Sequence, residues 1–117
     1  MGNTITVIRQ NLNGTFTAPV TYAVGAGAPG VAVGNLNGDS ALDLVVTNKT
    51  DGTVSILLNN GNGTFGSQAT LPAGVNPTSV ALADLNADGK VDLVTTSFTN
   101  NQVGVRLGAG DGTFGSL

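Results

Sequence analysis

Carboxylates and amides in this chain concentrate in two nine-residue loops, Asn35-Leu36-Asn37-Gly38-Asp39-Ser40-Ala41-Leu42-Asp43 and Asp84-Leu85-Asn86-Ala87-Asp88-Gly89-Lys90-Val91-Asp92, which stand 49 residues apart. Five of the seven acidic residues lie in these loops, and every acid in the chain is Asp, whose short arm turns back onto its own loop. Oxygens at loop positions 1, 3, 5 and 9, with a backbone carbonyl at 7, can converge on one point when the loop curls. Such a set of hard oxygens suits Ca²⁺, which takes about six to eight of them. In the second loop Asp84, Asn86, Asp88 and Asp92 offer side-chain oxygens and Lys90 its carbonyl, while Gly89 occupies a position that requires a sharp turn with positive φ. In the first loop Asn35, Asn37, Asp39 and Asp43 are the equivalents, with the carbonyl of Ala41. Asn35 in place of Asp84 leaves two carboxylates against three, and Ser40 in place of Gly89 costs roughly 1 kcal/mol in left-handed geometry. The first loop is therefore expected to be the weaker site.

Two other readings compete. An Asp/Asn/Gly run can be a solvated turn, but its recurrence in register with everything around it favours a metal. An EF-hand needs a bidentate Glu at position 12, where this chain has Thr95, and helices on either side, where Val80–Ala83 and Val91–Thr95 read as strands.

The elements that hold the loops share their 49-residue step. Phe16, Phe65 and Phe114 each close a Gly-Thr-Phe, and the alternating runs Ile5–Val7, Val54–Ile56 and Val103–Val105 keep the same spacing. Short strands separated by turn residues at this period predict an all-β chain of propeller blades, each a four-stranded antiparallel sheet. One unit has strands at 77–84, 91–97 and 102–107, with a fourth after Phe114. The unit before it has strands at 29–35, 42–48, 53–58 and 65–71. Asp51-Gly52 marks the turn between second and third strands, and Gly61–Gly63 and Gly110–Gly112 mark turns between third and fourth. With 18 Gly, no Glu and no apolar run of 3.6-residue period, helices are not expected. The small apolar strands at 31–34 and 80–83 suit an innermost position, crowded around a central axis.

These residues resemble the FG-GAP or VCBS-type repeats of integrin-α-like β-propellers. Phe65-Gly66 and Phe114-Gly115 match the first half of the name, Gly27-Ala28-Pro29 the second, and Asp84–Asp92 the calcium loop of the family; the first loop departs from it at Asn35 and Ser40. The resemblance implies that the loop joins the first two strands of a blade, that calcium stiffens this hairpin as a structural ion, and that partners bind through other loops, often on the opposite face.

The chain holds about 2.4 repeats, whereas a propeller closes with about four to eight blades. The units are expected as a partial blade at 1–24, a blade with the first calcium loop at 25–73, and a blade with the second at 74–117 whose fourth strand is cut short. Open sheet edges and an apolar blade face at both ends invite association. We expect a homo-oligomer in which the amino-terminal strands of one copy complete the carboxy-terminal blade of another, with a trimer or tetramer favoured over a dimer and one of the two overlapping third strands displaced. The alternative is an excised or engineered piece of a longer propeller, which the leading Met1-Gly2 and the end at Gly115–Leu117 suit, and which also predicts oligomers.

Composition narrows the remaining functions. Net charge of −3, pI near 4.2 and four scattered cations, Arg9, Lys49, Lys90 and Arg106, disfavour nucleic acid and anionic membrane as partners. There is no apolar stretch of membrane-spanning length and no signal sequence in this chain. The absence of Cys and the calcium loops fit a secreted or surface protein of bacterial type, in a compartment with millimolar calcium. Asn13-Gly-Thr15, Asn48-Lys-Thr50 and Asn62-Gly-Thr64 match the glycosylation sequon but are read as turn chemistry. An enzyme is not expected: the chain has no His, Cys or Glu, and no Ser has a base to activate it. Gly25-Ala-Gly27 lacks the Lys and the helix of a phosphate loop. The alternative to a calcium-binding assembly module is an adhesion or lectin-like module with a glycan partner. Tyr22 and Phe98, which break the repeat, are then the stacking candidates, while the periodic Phe residues are expected in the core.

Overall fold

A computed structural model describes residues 3–117, so the expectations for Met1 and Gly2 lie outside the described residues. The chain is all-β and antiparallel, with no helix among these residues. Strands β1 (Asn3–Val7) and β2 (Val20–Val24) form a two-stranded sheet. Strands β3 (Val31–Gly34), β4 (Asp43–Asn48), β5 (Thr53–Leu57) and β6 (Ala69–Pro72) form a four-stranded meander. Strands β7 (Pro77–Ala83), β8 (Asp92–Ser97) and β9 (Gln102–Arg106) repeat its first three strands. The three sheets stand side by side and no sheet closes on itself.

Two stretches differ from the strands expected. The fourth strand of the second sheet starts at Ala69 rather than Phe65, because Phe65 bridges back to Asn59 and Gly66 N–H donates to the Leu58 carbonyl, which keeps 65–68 in the turn. The same bridge recurs as Gln10 with Phe16 and Gly108 with Phe114. After Phe114 the backbone forms no strand.

Alternation along β4 and β5 explains why the middle sheet holds the core. Val45, Val54 and Ile56 point towards the third sheet, where they join Leu36, Ala73, Val80 and Leu93. Val46 and Leu57 point the other way and join Val24, with Ile5, Tyr22, Leu44 and Phe65 around them. A strand buried on both faces loses the polar-out half of its pattern, and β4 is buried along almost its whole length. Of the polar groups that enter this core, Asn48 Nδ2 donates to Thr53 Oγ1 and Ser55 Oγ, at 2.9 and 2.8 Å, while Asn48 Oδ1 accepts no hydrogen bond.

Candidate metal centre

Each acidic loop joins the first two strands of its sheet, β3 to β4 and β7 to β8. In the second loop Asp84, Asn86 and Asp88 are drawn to one point. The side-chain amide of Asn86 sets one terminal atom 3.1 Å from Asp84 Oδ1 and 3.0 Å from Asp88 Oδ1. With its oxygen in that place, three oxygens meet with no hydrogen between them; with the amide turned over, its nitrogen donates to both carboxylates. The backbone curls around the same acids, since Asp84 accepts the N–H groups of Asp88 and Gly89 and Asp88 Oδ1 accepts that of Lys90. All these residues are exposed.

Position 9 does a second job that the loop pattern does not reveal. Asp92 is fully buried, with Oδ2 taking Leu85 N–H and Oδ1 taking Gly108 N–H, each at 2.8 Å. Asp43 does the same with Leu36 N–H and Asn59 N–H. Each carboxylate thus ties the start of its loop to the turn after the third strand, two residues past its end. The Gly108 N–H and then the Leu85 N–H hold the Asp92 carboxyl below its ordinary value of 3.8, against the opposing effect of its burial. A carboxylate has about four lone-pair sites, so two N–H donors leave Asp92 room for a cation. The role in stapling was missed because Leu36, Leu85, Asn59 and Gly108 act through backbone N–H groups, which side-chain identity does not betray.

The first loop is closed by fewer bonds of its own. Asn35 Oδ1 accepts Gly38 N–H and Asp39 Oδ1 accepts Ala41 N–H. Asn37 Oδ1 is buried and accepts no hydrogen bond from any group, an orphaned oxygen of the kind that a cation would satisfy. Among the described residues no three Asp side chains gather closely enough to hold a metal by themselves; each cluster is a mixture of carboxylate and amide oxygens.

Backbone strain does not rank the two loops as Ser40 alone predicts. Gly89 has φ +80° as expected, and Ser40 reaches +67° without the freedom of Gly. Position 4 is also left-handed, and there the assignment reverses: Gly38 at +76° in the first loop, Ala87 at +59° in the second. Each loop therefore carries one glycine and one strained residue, and only the count of carboxylates separates them.

The turn reading of the sequons agrees with the geometry at Asn13 and Asn62 but not at Asn48, which ends β4. Asn13 and Asn62 accept both the N–H and the hydroxyl of the Thr two residues on, as Asp111 does with Thr113, and Asn48 is fully buried. Of the two aromatic candidates, Tyr22 packs edge-on against Phe65 with ring centres 5.4 Å apart and accepts Phe65 N–H. Phe98 is exposed in the turn after β8. Phe65 and Phe114 pack against the two cores, whereas Phe16 is exposed because no described sheet lies beyond the first.

Repeated antiparallel sheets, each with an Asp/Asn loop between its first two strands, define a propeller-type repeat module. A model of the FG-GAP-like repeat matches residues 35–95, just over half of the chain. The chain belongs to that family. Neither a curated protein nor a solved structure matches it.

Proposed function

We propose that the chain is a calcium-binding structural module whose sheets associate, copy with copy, into a closed propeller, with no catalytic role. The observation that carries the calcium reading is the convergence of Asp84 Oδ1, Asp88 Oδ1 and the Asn86 amide, supported by the orphaned Asn37 Oδ1 in the equivalent loop. Asp84, Asn86, Asp88, Asp92 and the Lys90 carbonyl would hold one ion, and Asn35, Asn37, Asp39, Asp43 and the Ala41 carbonyl a second, weaker one. A bound Ca²⁺ neutralises mutually repelling oxygens and needs no redox or acid–base chemistry. The chain's own part is to fix the loop between strands, by the Asp92 and Asp43 staples, so that little ordering remains on binding. Sites of this exposure suit an extracellular setting, where calcium is plentiful.

Calorimetric titration and thermal melts with and without chelator test the reading. Ca²⁺ should raise the melting temperature by mass action, and Asp88→Ala should remove the larger share of that shift. A melt and an oligomer size both indifferent to chelator would defeat it. The glycan reading retains one favourable observation, the exposed ring of Phe98. A glycan array with Phe98→Ala as control tests it, whereas Tyr22→Ala would report lost packing on Phe65.

A further inference from the structure

The two outer faces of the molecule are copies, by the 49-residue step, of the two faces already in contact inside it. Within the chain, Leu36, Val54 and Ile56 on the second sheet meet Val80 and Leu93 on the third, and Gly112 N–H donates to the Leu36 carbonyl. One step on, Leu85 is 53% exposed where Leu36 is 3%, and Val103 is 67% exposed where Val54 is 0%. One step back, Val31 is 58% exposed where Val80 is 9%. The third sheet thus ends in a face built to receive a second sheet, and the second sheet carries uncovered residues built to receive a third. Faces that fit head to tail on one chain fit between two copies of it, and a heterologous contact of that kind gives a ring where the rotation per copy closes and an open filament where it does not.

Strand pairing decides which overlapping strand gives way. Pairing of β5 with β6 opposes Val54 to Leu71 and Ile56 to Ala69. Carried by one step at each strand, it opposes Val103 of β9 to Tyr22 of β2, and Val105 to Val20, on the edge of β9 that is free here. Strand β2 is at present paired with β1, with Ile5 opposite Tyr22 and Val7 opposite Val20. The seat is the same, and the two occupants are unequally held. β9 is bonded to β8 on its other edge, its Arg106 is buried with Nε and Nη2 on the Pro72 carbonyl, and Gly108 just beyond it is stapled to Asp92. β1 belongs to a two-stranded sheet, a marginal arrangement in water; its Ile5 packs at the rim of the Val24 core, and just beyond it the exposed Arg9 donates to the Asn62 carbonyl.

We propose that β1 is a placeholder: in the assembly, which rests on the reading above, β2 of each copy leaves β1 and pairs with β9 of a second copy, Val20 opposite Val105 and Tyr22 opposite Val103. The second sheet of the copy that gives β2 then covers Leu85 and Val103 of the copy that gives β9, as the third sheet covers Leu36 and Val54 within one chain. Calcium loop and assembly surface share Leu85, the residue after Asp84.

The chain contains no Cys, so paired cysteines report the register directly. Directly opposed antiparallel residues lie within the Cα spacing that a disulfide spans. Mild oxidation of the full-length V20C/V105C variant should link separate copies, visible as covalent oligomers on a non-reducing gel. Oxidised V7C/V20C should stay a single covalent chain, lock β1 onto β2, and associate at least about tenfold more weakly by sedimentation, with recovery on adding reductant. Association that survives the V7C/V20C lock, or persists without V20C/V105C cross-linking, overturns the exchange while leaving assembly in place. A parent chain that stays monomeric with calcium at every concentration overturns the assembly reading and the exchange with it.

Discussion

At the scale of single residues, the two loops have solved one backbone problem in opposite ways. Ser40 and Ala87 each hold a left-handed conformation that costs an L-residue roughly 1 kcal/mol. Ser40→Gly and Ala87→Gly should each stabilise the chain by up to about 1 kcal/mol in urea unfolding, less the entropy that glycine adds to the unfolded state. The charged groups give a pH prediction. Asp111 is held below its ordinary 3.8 first by the Thr113 hydroxyl and then by the Thr113 N–H, and Asp92 is lowered by Gly108 N–H. Between the lowered folded values and 3.8 the unfolded chain binds more protons than the folded one. Their contribution is therefore complete above 3.8 and is lost as pH falls towards the folded values. Asn13 and Asn62 make the same turn without a charge, so Asp111→Asn should leave stability near pH 7 little changed and flatten the acid limb of an unfolding-versus-pH profile.

At the scale of elements, the buried aspartates link parts of a sheet that are distant in sequence. Asp43 joins the loop after β3 to the turn after β5, and Asp92 joins the loop after β7 to the turn after β9. Asp43→Ala would strand two backbone N–H groups, and should cost about 2–3 kcal/mol, read as a loss in the urea midpoint that added calcium does not restore. Strand order, loop positions and core polarity were legible because alternation and turn residues act locally: Val54–Ile56 and Asp51-Gly52 identify their elements unaided. The starting point of β6 was not, since the bridge from Asn59 to Phe65 depends on backbone partners on both sides of a turn. Nor was the double duty of Asp92, or the left-handed Ala87, whose conformation is imposed by the loop and not favoured by its own side chain.

At the scale of the molecule, the middle sheet is the only one of the three with a neighbour on each face. Leu93, fully buried where the third sheet meets the second, should cost about 2–5 kcal/mol on truncation to Ala, seen as a lower melting temperature. Leu85→Asp should leave the monomer's melt nearly unchanged, because the side chain is exposed there, and weaken association in sedimentation experiments.

In the assembly proposed above, the equivalence of the open and closed faces also governs the order in which copies join. Adding one copy head to tail covers one pair of faces and leaves a new, identical pair at the ends, so a linear dimer exposes as much terminal apolar surface as a single chain. Only the step that joins last to first removes both ends at once, and it gains a further contact without the entropy of capturing another molecule. Open intermediates should then be scarce: a size distribution taken across concentrations should hold two peaks, single chains and one closed species, trading amplitude without a continuum between them.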